Sequence, residues 1–121
     1  MTVPEHAVYY MEVVTNDVSG ARTLYHQVYG WDFQAMGPEL GNSFVAELPD
    51  GSRCGIRAPM HEQERPIVRT YIRVNDIERA ARRVEALGGM LALPPMEIPG
   101  HGTIAIYIMA GGIEQGLWQL P

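Results

Sequence analysis

Lysine is missing from this 121-residue chain: all nine Lys and Arg positions are arginine. No ε-amino group is available for Schiff-base chemistry or as a point charge on a phosphate. What is left is the planar guanidinium fork, suited to carboxylates and other oxyanions. Cysteine is nearly as scarce. The single Cys54 excludes a disulfide framework within the chain and a Cys-rich zinc site. It lies in a strand-like stretch, 52–58, and reads as a small core residue, because a reactive thiol wants a histidine or a helix N-terminus beside it. No apolar run reaches the ~18 residues of a membrane helix. The opening Met1-Thr2-Val3-Pro4-Glu5-His6 is neither basic nor apolar enough for a secretory leader. A cytoplasmic protein with no membrane partner is the expectation. The formal net charge of −5 argues against nucleic acid as a partner.

What is present is a repeat. Asn16-Asp17-Val18 recurs 59 positions later as Asn75-Asp76-Ile77, and the same offset carries Val13 onto Ile72, Ala21 onto Ala80, Val28 onto Leu87 and Gly30 onto Gly89. Between the copies lies a polar stretch bounded by Pro59 and Pro66. Before each Asn-Asp pair stands a β-branched and aromatic run, 8–14 and 67–74, read as a strand. Asp17 and Asp76 can accept from the free N–H groups of a helix start. After them Val18, Ala21, Tyr25 and Val28 fall at helical spacing, as do Ile77, Ala80, Val84 and Leu87. The spacing predicts helices over 18–29 and 77–88, closed by Gly30 and by Gly88-Gly89. Three strands follow each helix: 31–36, 43–48 and 53–58, then 90–93, 103–109 and 114–120. Pro94-Pro95 is expected to end the sixth strand early. The pattern is βαβββ, twice.

Two such modules, a helix ending in Gly30-Trp31, the Val74-Asn75-Asp76-Ile77 entry to the second helix and the terminal Gly116-Leu117-Trp118-Gln119 strand together resemble the vicinal-oxygen-chelate superfamily of glyoxalase, bleomycin-resistance and dioxygenase proteins. The resemblance implies an α+β fold: two βαβββ modules in tandem forming a curved, cup-shaped mixed β-sheet with the helices outside. It implies one glyoxalase-like domain over 1–121, with module one at 7–59, a linker at 60–66 and module two at 67–120. The family's metal enzymes take ligands from the first and last strand of each module. Carried onto this chain, those positions are Tyr10, Gly55, Arg69 and Gly116. Divalent-metal sites want imidazoles and carboxylates, which this set lacks. The scattered His6, His26, His61 and His101 form no ligand pair. The Asp-Pro-x-Gly common in the family before the last strand is replaced by Met109-Ala110-Gly111-Gly112. No metal and no cofactor is expected.

Strand alternation separates two faces. Met11 and Val13 oppose Tyr10 and Glu12; Thr70 and Ile72 oppose Arg69, Tyr71 and Arg73; Cys54 and Ile56 oppose Arg53, Gly55 and Arg57; Leu117 opposes Gly116 and Trp118. The apolar set is expected to meet the helices. The other set nominates Tyr10, Glu12, Arg57, Arg69, Tyr71, Arg73 and Trp118 as ligand-binding residues, with the two glycines leaving room for a planar molecule. The competing reading is a solvated face whose charges only confer solubility. The function expected is metal-independent binding of a small, partly aromatic or oxygenated molecule, with arginines suited to an anion. The alternatives are a metal-dependent lyase or dioxygenase of the same superfamily, lactoylglutathione lyase-like, an enzyme using Glu12 as general base with Tyr10 or His101 as acid, or a purely structural or regulatory dimer module; no catalytic residue is assigned. A twofold homodimer is expected from strand edges that need cover. Arg69→Ala is expected to weaken binding at little cost to folding.

Overall fold

The computed structural model describes residues 2–121. The chain forms two compact units, one holding Tyr10–Val68, the other Val3–Tyr9 with Arg69–Pro121. In chain order the elements are β1 (Val8–Val14), α1 (Val18–Tyr29), β2 (Gln34–Ala35), β3 (Phe44–Glu47), β4 (Arg53–Arg57), β5 (Ile67–Arg73), α2 (Ile77–Ala86), β6 (Met90–Ile98), β7 (Gly102–Ile108) and β8 (Glu114–Gln119). This is the α+β arrangement, βαβββ twice, that the repeat predicts. Strand order is β2-β3-β4-β1 in the first copy and β5-β8-β7-β6 in the second. In each, the first and last strands of the copy lie parallel and adjacent, which sets Glu12 opposite Gly55 and Tyr71 opposite Gly116.

The helix starts form as the sequence dictates. Asp17 Oδ1 accepts from Gly20 N and Asp76 Oδ1 from Arg79 N, each at 3.0 Å, satisfying donors that the helix itself leaves free. Ile77 N gains a further acceptor, Gln119 Oε1, at 2.8 Å. Gly30 closes α1 in the left-handed region at φ 76°. The second helix ends at Ala86, short of 88, with Leu87 as its cap and Gly88 turning at φ 94°. Val13, Cys54 and Ile56 are buried against Val18, Ala21 and Tyr25 of α1. Val74, Ala105 and Leu117 are buried with Ile77 and Ala80 of α2. The apolar set therefore meets the helices. Cys54 has no exposed surface, and burial pushes its thiol up to about 12, as fits a core residue.

Two strand expectations are corrected. The predicted strand 31–36 shrinks to Gln34–Ala35. Trp31 and Phe33 instead turn their rings onto Tyr25, with centroids 5.4 and 6.3 Å away. The sixth strand does not end at Pro94-Pro95 but runs on to Ile98. It is the last strand in its order, and its register against β7 shifts on both sides of Leu93. Edge position and bulge are the two settings in which a strand tolerates residues without an N–H. Residues 3–9 group with the second unit. His6 N donates to Arg73 O at 2.7 Å and Arg73 N to Ala7 O at 2.9 Å. Backbone pairing, which side-chain patterning does not encode, places this segment. Among the described residues no helix is long and apolar enough to cross a membrane.

Candidate functional site

The face opposite α1 is built from β1 and β4. Glycine at 55 leaves a gap in β4, and the Tyr10 side chain fills it: a Cβ at that position would run into the Tyr10 hydroxyl. Beside it, Arg57 Nε donates to Glu12 Oε2 at 2.9 Å. Its two terminal nitrogens grip Glu64, Nη1 to Oε1 at 2.8 Å and Nη2 to Oε2 at 2.6 Å. Glu64 Oε1 also accepts from Met60 N at 2.7 Å, closing a turn within the linker. The bidentate bond to Glu64, with Glu12 adding its charge, makes Arg57 hold its proton more tightly. The same bond holds the Glu64 carboxyl down at about 2.

The second unit repeats the plan with other residues. The gap left by Gly116 on β8 is filled by the ring of Tyr71 on β5. Tyr71 and Tyr9 both present edges to Trp118, with centroids 5.6 and 5.4 Å away. Trp118 Nε1 donates to His101 O at 2.9 Å. Arg69 bonds Glu114 Oε1 through Nε at 3.1 Å and Nη2 at 2.8 Å. Arg73 Nη1 donates to Val3 O at 2.6 Å, while its Nε is buried with no hydrogen-bond partner among the described residues.

Tyr10, Arg57, Arg69, Tyr71 and Trp118 are each no more than 7% exposed, so these faces are not simply wetted. The structure gathers Tyr10, Glu12 and Arg57 in one unit and Arg69, Tyr71, Arg73 and Trp118 in the other. The space beside the two glycines is taken by the chain's own tyrosines, not left open for a planar molecule. Two carboxylates central to this chemistry, Glu64 and Glu114, were not foreseen. Glu114 was legible: it alternates with Gly116 and Trp118 on β8, two residues beyond the face already drawn. Glu64 lies in the polar linker, where no periodicity marks a partner. Arg69 is also no loose stem, so its replacement will cost folding as well.

The metal positions of the resemblance can be tested against this geometry. Tyr10 is packed across Gly55, Gly116 lies under Tyr71, and Arg69 is bound to Glu114. Two positions have no donor and a third is a cation. The set does not fit a divalent metal. Among the described residues, no group of three or more His, Cys, Asp and Glu is placed to hold one elsewhere.

No family model matches the chain. Among curated proteins, one named as a glyoxylase, CFP32, of Mycobacterium bovis is 28% identical over 115 residues, covering 91% of this chain and 44% of its own length. The anthracycline biosynthesis protein DauV of Streptomyces sp. strain C5 is 24% identical over 118 residues, covering 85% of this chain and 43% of its own length. The chain thus spans less than half the length of the curated relatives it matches. Among solved structures, methylmalonyl-CoA epimerase of Mycobacterium tuberculosis superposes with a TM-score of 0.76 at 17% identity, over 100% of this chain and 93% of that one. A Streptomyces coelicolor methylmalonyl-CoA epimerase in complex with 2-nitronate-propionyl-CoA gives 0.70 at 12% identity, over 97% and 99%. The fold is that of the vicinal-oxygen-chelate superfamily. The likeness to glyoxylase-named relatives bears out the resemblance carried by the duplicated motif.

Proposed function

We propose that this chain is a metal-independent small-molecule-binding protein of the vicinal-oxygen-chelate type. The observation that carries this reading is the substitution of the metal-bearing positions by a packed tyrosine, two glycines and an arginine already paired with glutamate. The polar strand faces, Tyr10, Glu12 and Arg57 in one unit and Arg69, Tyr71, Arg73 and Trp118 in the other, are each offered as a surface for ligand contact. An anion at Arg57 or Arg69 has to displace a resident glutamate. Arg73 Nε, buried without an acceptor among the described residues, could bond a ligand oxygen once the face opens to admit it, and that bond would relieve the desolvation cost of the group. The ligand favoured is therefore partly aromatic, with oxygens that accept hydrogen bonds. A twofold homodimer belongs to the same proposal, and a monomer by light scattering at roughly tens of micromolar would count against it.

The test is a calorimetric screen of phenols, quinones and aromatic acids with a chelator present, against the wild type and Arg73→Gln. The reading expects binding that persists under chelation and weakens in the variant. Binding that appears only after a divalent metal is added supports the metal-dependent lyase or dioxygenase instead.

A further inference from the structure

At the margin of the first unit, a pocket of about 700 Å³ opens between the end of α1 and the strands β2 to β4. That size falls within the roughly 300–1,000 Å³ typical of small-molecule sites. We propose that this pocket binds a planar, cationic aromatic molecule, at a place distinct from the strand-face residues described above.

Rings and apolar side chains make the wall. Tyr29 and Trp31 lie 5.0 Å apart with planes inclined at 37°, and Tyr25 backs Trp31 at 5.4 Å. Val45 and Leu48 add aliphatic surface. Tyr29 is 58% exposed, leaving ring surface for a guest to cover. A flat molecule gains both apolar burial and stacking there.

The charge around the pocket favours a cation. Asp32 and Glu47 line it with side chains 86% and 81% exposed. Asp32 has His26 Nδ1 at 3.3 Å, and that nitrogen also lies 3.0 Å from Trp31 O. The one guanidinium in the lining, Arg53, already reaches Glu47 at 3.5 Å. The carboxyl end of α1 arrives at Tyr29 and Gly30, bringing the negative end of the helix dipole. With Glu47 and Arg53 offsetting each other, Asp32, the helix C-terminus and the exposed part of the Tyr29 ring leave the pocket favouring a cation over an anion.

The test is fluorescence titration of the full chain with proflavine, a planar cation, and anthracene carboxylate, a planar anion, at low and high salt. Proflavine is expected to saturate one site at least about tenfold more tightly than the anion. Tyr29→Leu, at a position 58% exposed, is expected to weaken it about tenfold, as is Trp31→Leu, each variant first checked for its folded state. The Asp32→Asn/Glu47→Gln double variant is expected to weaken it several-fold and flatten its salt dependence. Equal or tighter binding of anthracene carboxylate would overturn the charge assignment. No saturable proflavine binding, or binding that all these variants leave unchanged, would overturn the site. None of these outcomes bears on the metal-independent reading of the strand faces.

Discussion

Both units lay a tyrosine across a glycine on the neighbouring parallel strand, yet they draw it from different places in the repeat. Fifty-nine positions after Tyr10 stands Arg69, and fifty-nine after Glu12 stands Tyr71. The first unit fills the gap at Gly55 from one position of its opening strand, and the second fills the gap at Gly116 from a position two residues further on. The arginines part in the same way. In the first unit Arg57 comes from the last strand and is caught between glutamates of β1 and the linker; in the second Arg69 comes from the first strand and is held by Glu114 of β8. The duplication kept the backbone, its parallel pairing and its helix caps, while the face chemistry was rebuilt in each copy. A position that corresponds between repeats, or to a metal ligand elsewhere, therefore predicts where a side chain sits and not what it does.

The largest effect should come from the buried ring cluster around Trp118 in the second unit. Trp118→Ala removes a buried ring touching Tyr9 and Tyr71 together with the indole hydrogen bond to His101 O, so chemical denaturation should show a loss of ~3–5 kcal/mol. A loss under about 1 kcal/mol would mean that the cluster adds little beyond ordinary surface packing. Next is Arg69→Ala, which strands Glu114 and should cost about 1.5–3 kcal/mol, the range for hydrogen bonds to a charged group. Stability indistinguishable from wild type would restore the simpler view of Arg69 as a free ligand anchor.

The glycine gaps sharpen the comparison. A Cβ at 116 meets the body of the Tyr71 ring, whereas one at 55 meets first the hydroxyl tip of Tyr10. Gly116→Ala should therefore be the costlier change within the ~1–3 kcal/mol of overpacking. Tyr10→Phe should rescue part of the Gly55→Ala loss. Equal costs with no rescue would refute the interlock as drawn.

A pH dependence is expected in the first unit. The Arg57 bond holds Glu64 at about 2, below the unfolded carboxyl at about 4.3. A carboxyl with a lowered folded pKa stabilises the fold above its unfolded value and loses that contribution as pH falls. The stability advantage of wild type over Glu64→Gln should be full at neutral pH and shrink from about 4.3 down towards about 2. An advantage that stays constant through that window would contradict the pairing.

What the sequence made legible was local. The Asn-Asp motif marked both helix starts because a cap needs only residues within one turn. Alternation sorted the strand faces because it depends on the backbone alone. The rest depended on neighbours in space. Pro94-Pro95 reads as a strand end until β6 is known to be an edge strand with a bulge. Trp31 and Phe33 read as strand residues until Tyr25 is seen to hold them. The glycines read as open space because nothing in their own strand says that Tyr10 and Tyr71 lie across them.

The central claim is that the metal positions of this fold have been given over to packing and ion pairing. Calorimetric titration of the chelator-stripped chain with zinc, nickel, manganese and ferrous ions tests it most directly. The account predicts no stoichiometric uptake and no change in unfolding temperature on adding any of the four. One tight equivalent per chain, abolished by Tyr10→Phe or Glu114→Gln, would contradict it.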